Sequence, residues 1–559
     1  MASPAQDIEQ IDLKRPVQLN GSLNIAMEGY SVSGIPARRQ PFTWTLSGAP
    51  TLTVLGVVMP FQVLLGNFEN RYFQPFNQYG ISPRYRWLTV HAGYRNVNFS
   101  PFTLAGYRML GGGVEINTAY KGEGRSGLRL GVMYGRLNRS TALDSAQFAN
   151  PLAYRPLPSY TRMAYAIKVG VGHDQGFVDL TYLQGWDVES SLEPALRDSV
   201  APQRNTAFGI SWRKNLYQKA QRRLYWKADL GVSVYTLDDR QRPVDVEGSP
   251  AIVQNVVTDW LDARISTQYL MAGETSLNYE GRGGGIGVAY KRVDPEYRSM
   301  GAYFFQNDIQ QVTVTPSLRL DSGRVNINTS FGMQRDNLFG QRFVTSERLI
   351  GNVNLNWNPT PRFGVSASWS NFGVTQNPTR VSPDAELFKQ VSNNYTLVPF
   401  LNLQGEKVMR TVQVVAVYQS LNSPVATLNA PPDQHTLVGA LVYSHTWMAR
   451  GISLMGSVNH NNTVLDQGDV GSTGAGVGVS LPVWKRRLQL GVNGMYNGNR
   501  FNGTANGHTM NAMADLGITV HKRGRLGLQV VHTMNRATDE AVFRSFDETI
   551  SRISYGLNF

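Results

Sequence analysis

Apolar and polar side chains alternate along most of this chain. A period of two calls for extended strands with one shielded face and one polar face. Val325, Ile327, Thr329, Phe331 and Met333 stand against Asn326, Asn328, Ser330, Gly332 and Gln334. Val353, Leu355 and Trp357 stand against Asn352, Asn354, Asn356 and Asn358, and Leu488, Leu490 and Val492 against Gln489, Gly491 and Asn493. A soluble sandwich also alternates, but strand cores of about ten residues suit a tilted strand crossing a bilayer. Aromatic residues gather near strand ends, at Tyr85, Trp87, Trp226, Tyr418, Trp447, Trp484 and Tyr496, as interfacial girdles do.

Loop lengths sharpen this reading, because a membrane barrel has short turns at one end and long loops at the other. Read back from the C-terminus, short turns fall at Lys522–Arg525, Trp484–Arg487, Ala449–Gly451, Gly405–Val408, Asn358–Arg362 and Asp321–Arg324. Long connections at 537–545, 498–508, 463–472, 421–434, 374–393 and 336–346 lie between them. To keep this alternation, 294–309 must be a loop between strands at 284–293 and 310–320, and Gln74–Arg84 must be a strand turning at Tyr85-Arg86. The expectation is an all-β chain, a transmembrane antiparallel β-barrel of about 26 strands with short periplasmic turns and long extracellular loops. Residues 1–16 form a periplasmic N-terminal extension and 17–559 a single transmembrane β-barrel, although 559 residues would ordinarily suggest several domains. Pro50, Pro60, Pro75 and Pro83 interrupt the first strands. The last strand places Tyr555, Leu557 and the terminal Phe559 on one face, which resembles the signal read by the barrel assembly machinery.

Composition narrows the chemistry. The chain has no Cys, so disulfides, thiolate metal sites and cysteine nucleophiles are excluded. Its eight His residues are scattered, with no H-x-x-x-H spacing for zinc. The glycine runs Gly111–Gly113 and Gly283–Gly285 lack the Lys-Ser/Thr of a phosphate loop. His173 and Asp174 are adjacent in a tight turn where their side chains diverge. No enzyme and no cofactor is expected. The N-terminus has neither a basic region nor an apolar core of a leader, so a signal peptide for export to the bacterial outer membrane would already have been removed.

Formal charge is +13, from 53 Lys and Arg against 40 Asp and Glu. The basic residues collect in the short turns, at Arg86, Arg222, Arg223, Lys485, Arg486, Arg487, Lys522 and Arg523, while acids favour the long loops. A cationic rim at the periplasmic face suits outer-membrane lipid headgroups or an acidic periplasmic or surface partner protein. A ring of this kind is no groove for nucleic acid, so none is expected as a partner.

A barrel this wide leaves a large lumen, and about 16 residues before the first strand are too few for a plug domain. Four loops are candidate gates or plugs. Residues 99–110 are too apolar to be solvated comfortably and contain Phe99, Phe102, Leu104, Arg108 and Met109. Residues 238–263 carry Ser249-Pro250 before an apolar stripe ending at Trp260 and Leu261, which predicts a helix. Residues 294–309 carry Tyr297, Tyr303, Phe304 and Phe305, and 375–393 carry Phe388. These loops would fold inward or pack as a lid. The inward barrel faces read as Asn, Gln, Ser and Gly rather than charge, which predicts a neutral, hydrated wall.

Several stretches carry a resemblance. They are Phe76–Tyr94, Asn98–Gly106, Leu110–Glu115, Met133–Arg139, Tyr297-Arg-Ser-Met-Gly-Ala-Tyr-Phe-Phe-Gln-Asn-Asp308 and Gln334-Arg-Asp-Asn-Leu338. Over residues 15–370 the chain resembles a family of large uncharacterised outer-membrane barrels from Bacteroidota-type bacteria, with a faint likeness to the type 9 secretion translocon. The resemblance implies fold and location and transfers no catalytic residue. It leaves three functional readings: a conduit or anchoring scaffold for a secreted or surface macromolecule, gated or filled by its loops or a partner; a passive porin for small solutes; and a structural or adhesive surface barrel.

Overall fold

The computed structural model describes residues 16–67, 77–121, 126–142, 158–245, 250, 254–302, 306–378, 388–423, 433–465, 468–484, 487–540 and 543–559. These residues form a closed antiparallel β-barrel of 29 strand segments. Three segments continue the stave before them across an interruption, which leaves 26 staves. Val17–Asn20 runs into Ser22–Ser33 through Gly21, and Phe42–Gly48 into Thr51–Val54 across Ala49-Pro50. Gln78–Ile81 runs into Arg84–Tyr85 across Ser82-Pro83. Proline has no N–H for the ladder, so two of these breaks fall where a central strand would lose a bond. Gly21, at φ 115, lies so close to the Ala49-Pro50 break that a Cβ there would meet Ala49 O at 2.8 Å.

Closure comes from Ser22–Ser33 pairing with Phe546–Asn558, with Ser22 opposite Asn558 and Ser33 opposite Asp547. Tyr555 and Leu557 therefore sit in the seam, opposite Ile25 and Leu23, and the Phe559 amide donates to Gly21 O at 2.9 Å. Alternation places apolar residues outward. Along Thr161–His173, Ile167, Val169 and Val171 are exposed while Ala164, Ala166 and Lys168 are buried inside. Exposed Tyr85, Trp87, Trp357, Trp447 and Trp484 ring the short-turn end, and exposed Tyr269, Tyr418 and Tyr496 lie toward the other. An apolar belt between two aromatic girdles is a bilayer-facing surface.

Two of the expected long loops are something else. Leu488–Phe501 and Thr504–His521 run on past the membrane and close in a two-residue turn, Asn502-Gly503, with φ of 50° and 75°. Asn-Gly with both φ positive is the hairpin turn whose twist matches the strands it joins. Ile452–Leu465 and Gly468–Val483 likewise leave only 466–467 between them. The described residues of 374–393 are also strand, in Phe363–Pro378 and Phe388–Gln404. Polar, Asn-rich sequence reads as loop, yet cross-strand hydrogen bonds satisfy its backbone equally well. The 118–126 connection, on the short-turn side, is longer than its neighbours and carries a 3-10 turn at Thr118–Lys121.

Twenty-six strands about 4.8 Å apart and tilted about 40° make a round barrel roughly 50 Å across. The buried core is off-centre: it lies against the inner wall near residues 97–107 and 294–302.

Candidate functional site

The connection 97–107 enters the lumen after Leu88–Asn96 and leaves it into Arg108–Asn117. Its apolar side chains would be costly in water, and inside the barrel Phe99, Phe102, Leu104 and Tyr107 are all buried. The second inward segment, 294–302, follows Gly284–Val293 and buries Tyr297, 1 % exposed, and Met300. The two meet. Tyr297 Oη donates to Phe102 O at 2.8 Å, Ser299 Oγ to Thr103 O at 2.8 Å, and the Ala105 amide to Gly301 O at 3.0 Å. The phenol of Tyr297 is held above its ordinary pKa by burial. The wall holds the pair in turn: Asn205 Oδ1 accepts from the Met300 amide at 3.0 Å, and Ser233 Oγ donates to Arg298 O at 2.7 Å.

Glycines make the seat. A Cβ at Gly131 would lie 2.7 Å from Phe99 Cζ, one at Gly231 2.5 Å from Phe102 Cβ, and one at Gly185 2.9 Å from Met300 Sδ. At Gly209 it would lie 2.9 Å from Thr103 Cγ2. Four staves thus share a shallow trough, filled by side chains of the inward segments, that leaves no room for side chains of their own.

Beside this seat, toward the short turns, runs a row of charge. Asp179, Ser211, Asp229, Glu274 and Lys291 are successive cross-strand partners on five neighbouring staves. Arg129 holds Asp179 through Nε to Oδ1 at 2.8 Å and stacks over Phe177 at 4.4 Å. Lys168 donates to Glu115 Oε2 at 2.8 Å and lies 4.7 Å from the Phe99 ring centre. Row and loops enclose an open cleft of about 620 Å³. The neutral wall expected from the sequence is therefore corrected on this side. On the other side amides and hydroxyls bond to one another, Asn459 Nδ2 donating to Asn497 Oδ1 at 3.0 Å and Thr411 Oγ1 to Asn402 Oδ1 at 3.0 Å, but charge enters there too, with Asp515, Gln529, Arg552 and Glu28 as successive cross-strand partners.

Glu115 also accepts from His91 Nε2 at 3.1 Å, and His91 Nδ1 meets Ser82 Oγ at 2.7 Å. The three resemble a hydrolytic triad only in composition. Ser82 is 5 % exposed and its chain neighbour Pro83 has no N–H to help form an oxyanion hole. Lys168 already occupies the other carboxylate oxygen. The chain Ser82–His91–Glu115–Lys168 ties wall to loop.

The sequence candidates divide as follows. Phe99, Phe102, Leu104, Met109 and Tyr297 come together in the lumen, Met109 as the second residue of Arg108–Asn117 rather than as loop. Arg108 heads that strand and donates to Gln78 Oε1. The helix expected from Ser249-Pro250 onward is present as a short π-helix at Asn255–Trp260, and the Gln254 amide donates to Pro250 O at 3.1 Å. It sits with its own hairpin, where the Val244 amide reaches Ala263 O at 3.0 Å, and Val256 stays exposed. The side chains of Trp260 and Phe388, and all of Tyr303, Phe304, Phe305, Lys485 and Arg486, lie outside the described residues. Arg86, Arg222, Arg487, Lys522 and Arg523 are exposed at the short turns, and Arg223 reaches Glu280 at 3.3 Å. The charged row leaves only a faint mark in the sequence. Its signal is a single ionisable residue at an inward position among small ones, such as Lys168 between Ala166 and Gly170.

No protein-family model matches the chain, and no curated protein is similar to it. Solved structures similar to it are barrels. Pseudomonas aeruginosa OccK1 (OpdK) is 11 % identical, with 64 % of this chain and 93 % of that one covered, at a TM-score of 0.29. The FrpB iron transporter from Neisseria meningitidis (F3-3 variant) is 10 % identical, with 100 % and 83 % covered, at 0.34. The P pilus usher (PapC) translocation pore is 11 % identical, with 97 % and 99 % covered, at 0.34. The chain is a membrane-spanning β-barrel. Its own closed ladder and outward apolar belt establish that.

Proposed function

We propose that this chain is an outer-membrane conduit, a wide barrel that passes or anchors a secreted or surface macromolecule. The supporting observation is a mismatch of scale. A connection of 11 residues, out and back, reaches at most roughly 20 Å, against a lumen roughly 50 Å wide between backbones. The segments 97–107 and 294–302 therefore line a wall instead of spanning the barrel. The remainder of the lumen, bare among the described residues, suits cargo or a partner chain, and the exposed arginines and lysines of the short turns suit an acidic partner at the periplasmic face. Gentle extraction from native membranes tests this: a second chain should co-purify in stoichiometric amount. Recovery of the barrel alone, with a large steady current in a planar bilayer, would move the reading to a passive porin. The hydrated amide wall around Asn459 and Asn497 favours that second reading. We also propose, on the sequence wording of residues 15–370, that the chain is one of the large Bacteroidota-type barrels.

A further inference from the structure

At the short turn 173–176 the outward face of the barrel has a dent. A cavity of about 550 Å³ opens there, and Val171, His173, Gly176, Val178, Trp212 and Lys214 are among its lining residues. His173 stands opposite Gly176, and Phe177 pairs with Arg213, so Lys214 flanks Gly176 on the other side. His173, Gly176 and Lys214 thus form one outward row whose middle position has no side chain. The row above it is Val171, Val178 and Trp212, and both valines are exposed on the lipid-facing belt.

Two donors flank the dent, and no acceptor of opposite charge accompanies them. His173 Nδ1 accepts from the Gln175 amide at 3.3 Å, which puts the ring hydrogen on Nε2. A Cβ on Gly176 would lie 3.5 Å from that Nε2, so the free nitrogen overhangs the dent. Lys214, on the other flank, is exposed. No carboxylate lines the cavity, and Asp174 of the same turn leans to the lumen side, 3.6 Å from Arg129. Trp212 is a fixed wall: its ring packs edge-on against Trp226 at 4.1 Å, and Trp226 Nε1 donates to Thr275 Oγ1 at 2.7 Å.

We propose that this dent is the headgroup site of one phospholipid of the periplasmic leaflet. The phosphate sits over Gly176, accepts from His173 Nε2 and pairs with the Lys214 ammonium. The acyl chains run up over Val171 and Val178, with Trp212 at the boundary between headgroup and chain. Depth selects the occupant, because a lysine and a tryptophan just below an apolar belt stand at the level of the headgroups. Donors without a carboxylate select its phosphate. The site rests on the membrane-spanning barrel and not on what crosses it, so it stands or falls separately from the conduit reading.

The test is native mass spectrometry of the full chain in detergent micelles, with dioleoyl phosphatidylglycerol, dioleoylglycerol and glycerol phosphate as probes. The unaltered barrel is expected to hold the phospholipid about tenfold tighter than dioleoylglycerol, the scale of one charge-assisted hydrogen bond. Glycerol phosphate, which lacks the chains, should not displace it at equal concentration. Equal retention of the two lipids overturns the proposal, as does displacement by glycerol phosphate, which would mark a site for a soluble anion. Neither result needs a variant. The double variant His173→Ala, Lys214→Met removes the donors, and Gly176→Val fills the dent without touching the charge. Each should retain one phospholipid fewer than the unaltered barrel, whereas Lys522→Gln, at another turn, should retain the full number. Folded variants at the dent that keep the full number overturn the proposal, and so does an equal loss from Lys522→Gln, which would mean diffuse rim charge.

Discussion

Two arcs of one barrel, built from the same alternating strands, have opposite interiors. From Leu88–Asn96 to Ile309–Leu320 the inner face is glycine, buried apolar side chains and a charged row, with two inward segments packed on it. From Val344–Trp357 to Phe546–Asn558 it carries no docked segment among the described residues, and amides and hydroxyls bonded to one another, as in Asn499 to Thr509 at 2.9 Å and Thr533 to Asn511 at 2.8 Å, stand beside a few charges such as Asp515, Arg525 and Arg552. The outward faces do not differ. Lipid imposes one rule on every stave, while the lumen lets each arc take its own chemistry. The first arc is a small protein core inside a membrane protein; the second is a wet wall.

The largest expected effect should be the same on both arcs, because it concerns lipid. Val169→Arg and Val492→Arg, both outward and about half exposed, should each cost about 2–4 kcal/mol in reversible urea folding. A large difference between them would mean that one arc does not face the bilayer.

Inward substitutions should separate the arcs. Gly231→Val would push against Phe102 Cβ and Tyr297 Oη, at 2.5 and 2.8 Å from a Cβ, and should cost about 1–3 kcal/mol. The loops should also become cleavable by protease. Gly476→Val meets only the rotatable Ser457 Oγ closer than 3.3 Å, and should cost well under 1 kcal/mol. If both behave alike, the trough is not a seat.

Polar deletions should rank next. Asp179→Ala leaves Arg129 without its bidentate partner, at about 1.5–3 kcal/mol. Asn459→Ala removes one neutral bond in the wet wall and should cost about 0.5–1.5 kcal/mol. Denaturant midpoints of the two variants give the ranking.

The smallest effect is in pH. Burial raises the Tyr297 phenol, so ionisation is disfavoured in the docked state. Docking should be constant below the free tyrosine value of about 10 and weaken only above it. Protease protection of 97–107 that fell between pH 6 and 9 would assign the sensitivity to another group.

The barrel was legible because its rule is local. Alternation needs only neighbouring residues, and short turns such as Asn358–Arg362 and Asp321–Arg324 show in the sequence as charge and Pro or Gly. Phe99, Phe102 and Tyr297 were legible because a loop that apolar must find shelter. Asn502-Gly503 misled because polar strand and polar loop have the same composition, and only pairing tells them apart. The row Asp179–Ser211–Asp229–Glu274–Lys291 was not legible. Its members are scattered over more than a hundred residues of sequence and become neighbours only once five registers are set.

By itself, then, the chain's sequence determined the strand period, the outward belt, the approximate stave number and which loops could not remain in water. These follow from solvation, which acts residue by residue. The tertiary structure alone decided that the two inward segments bind each other, that glycines on four staves receive them, and that Asp229 and Glu274 stand side by side. Those facts depend on register and ring closure, where one residue of slip would turn every side chain to the opposite face.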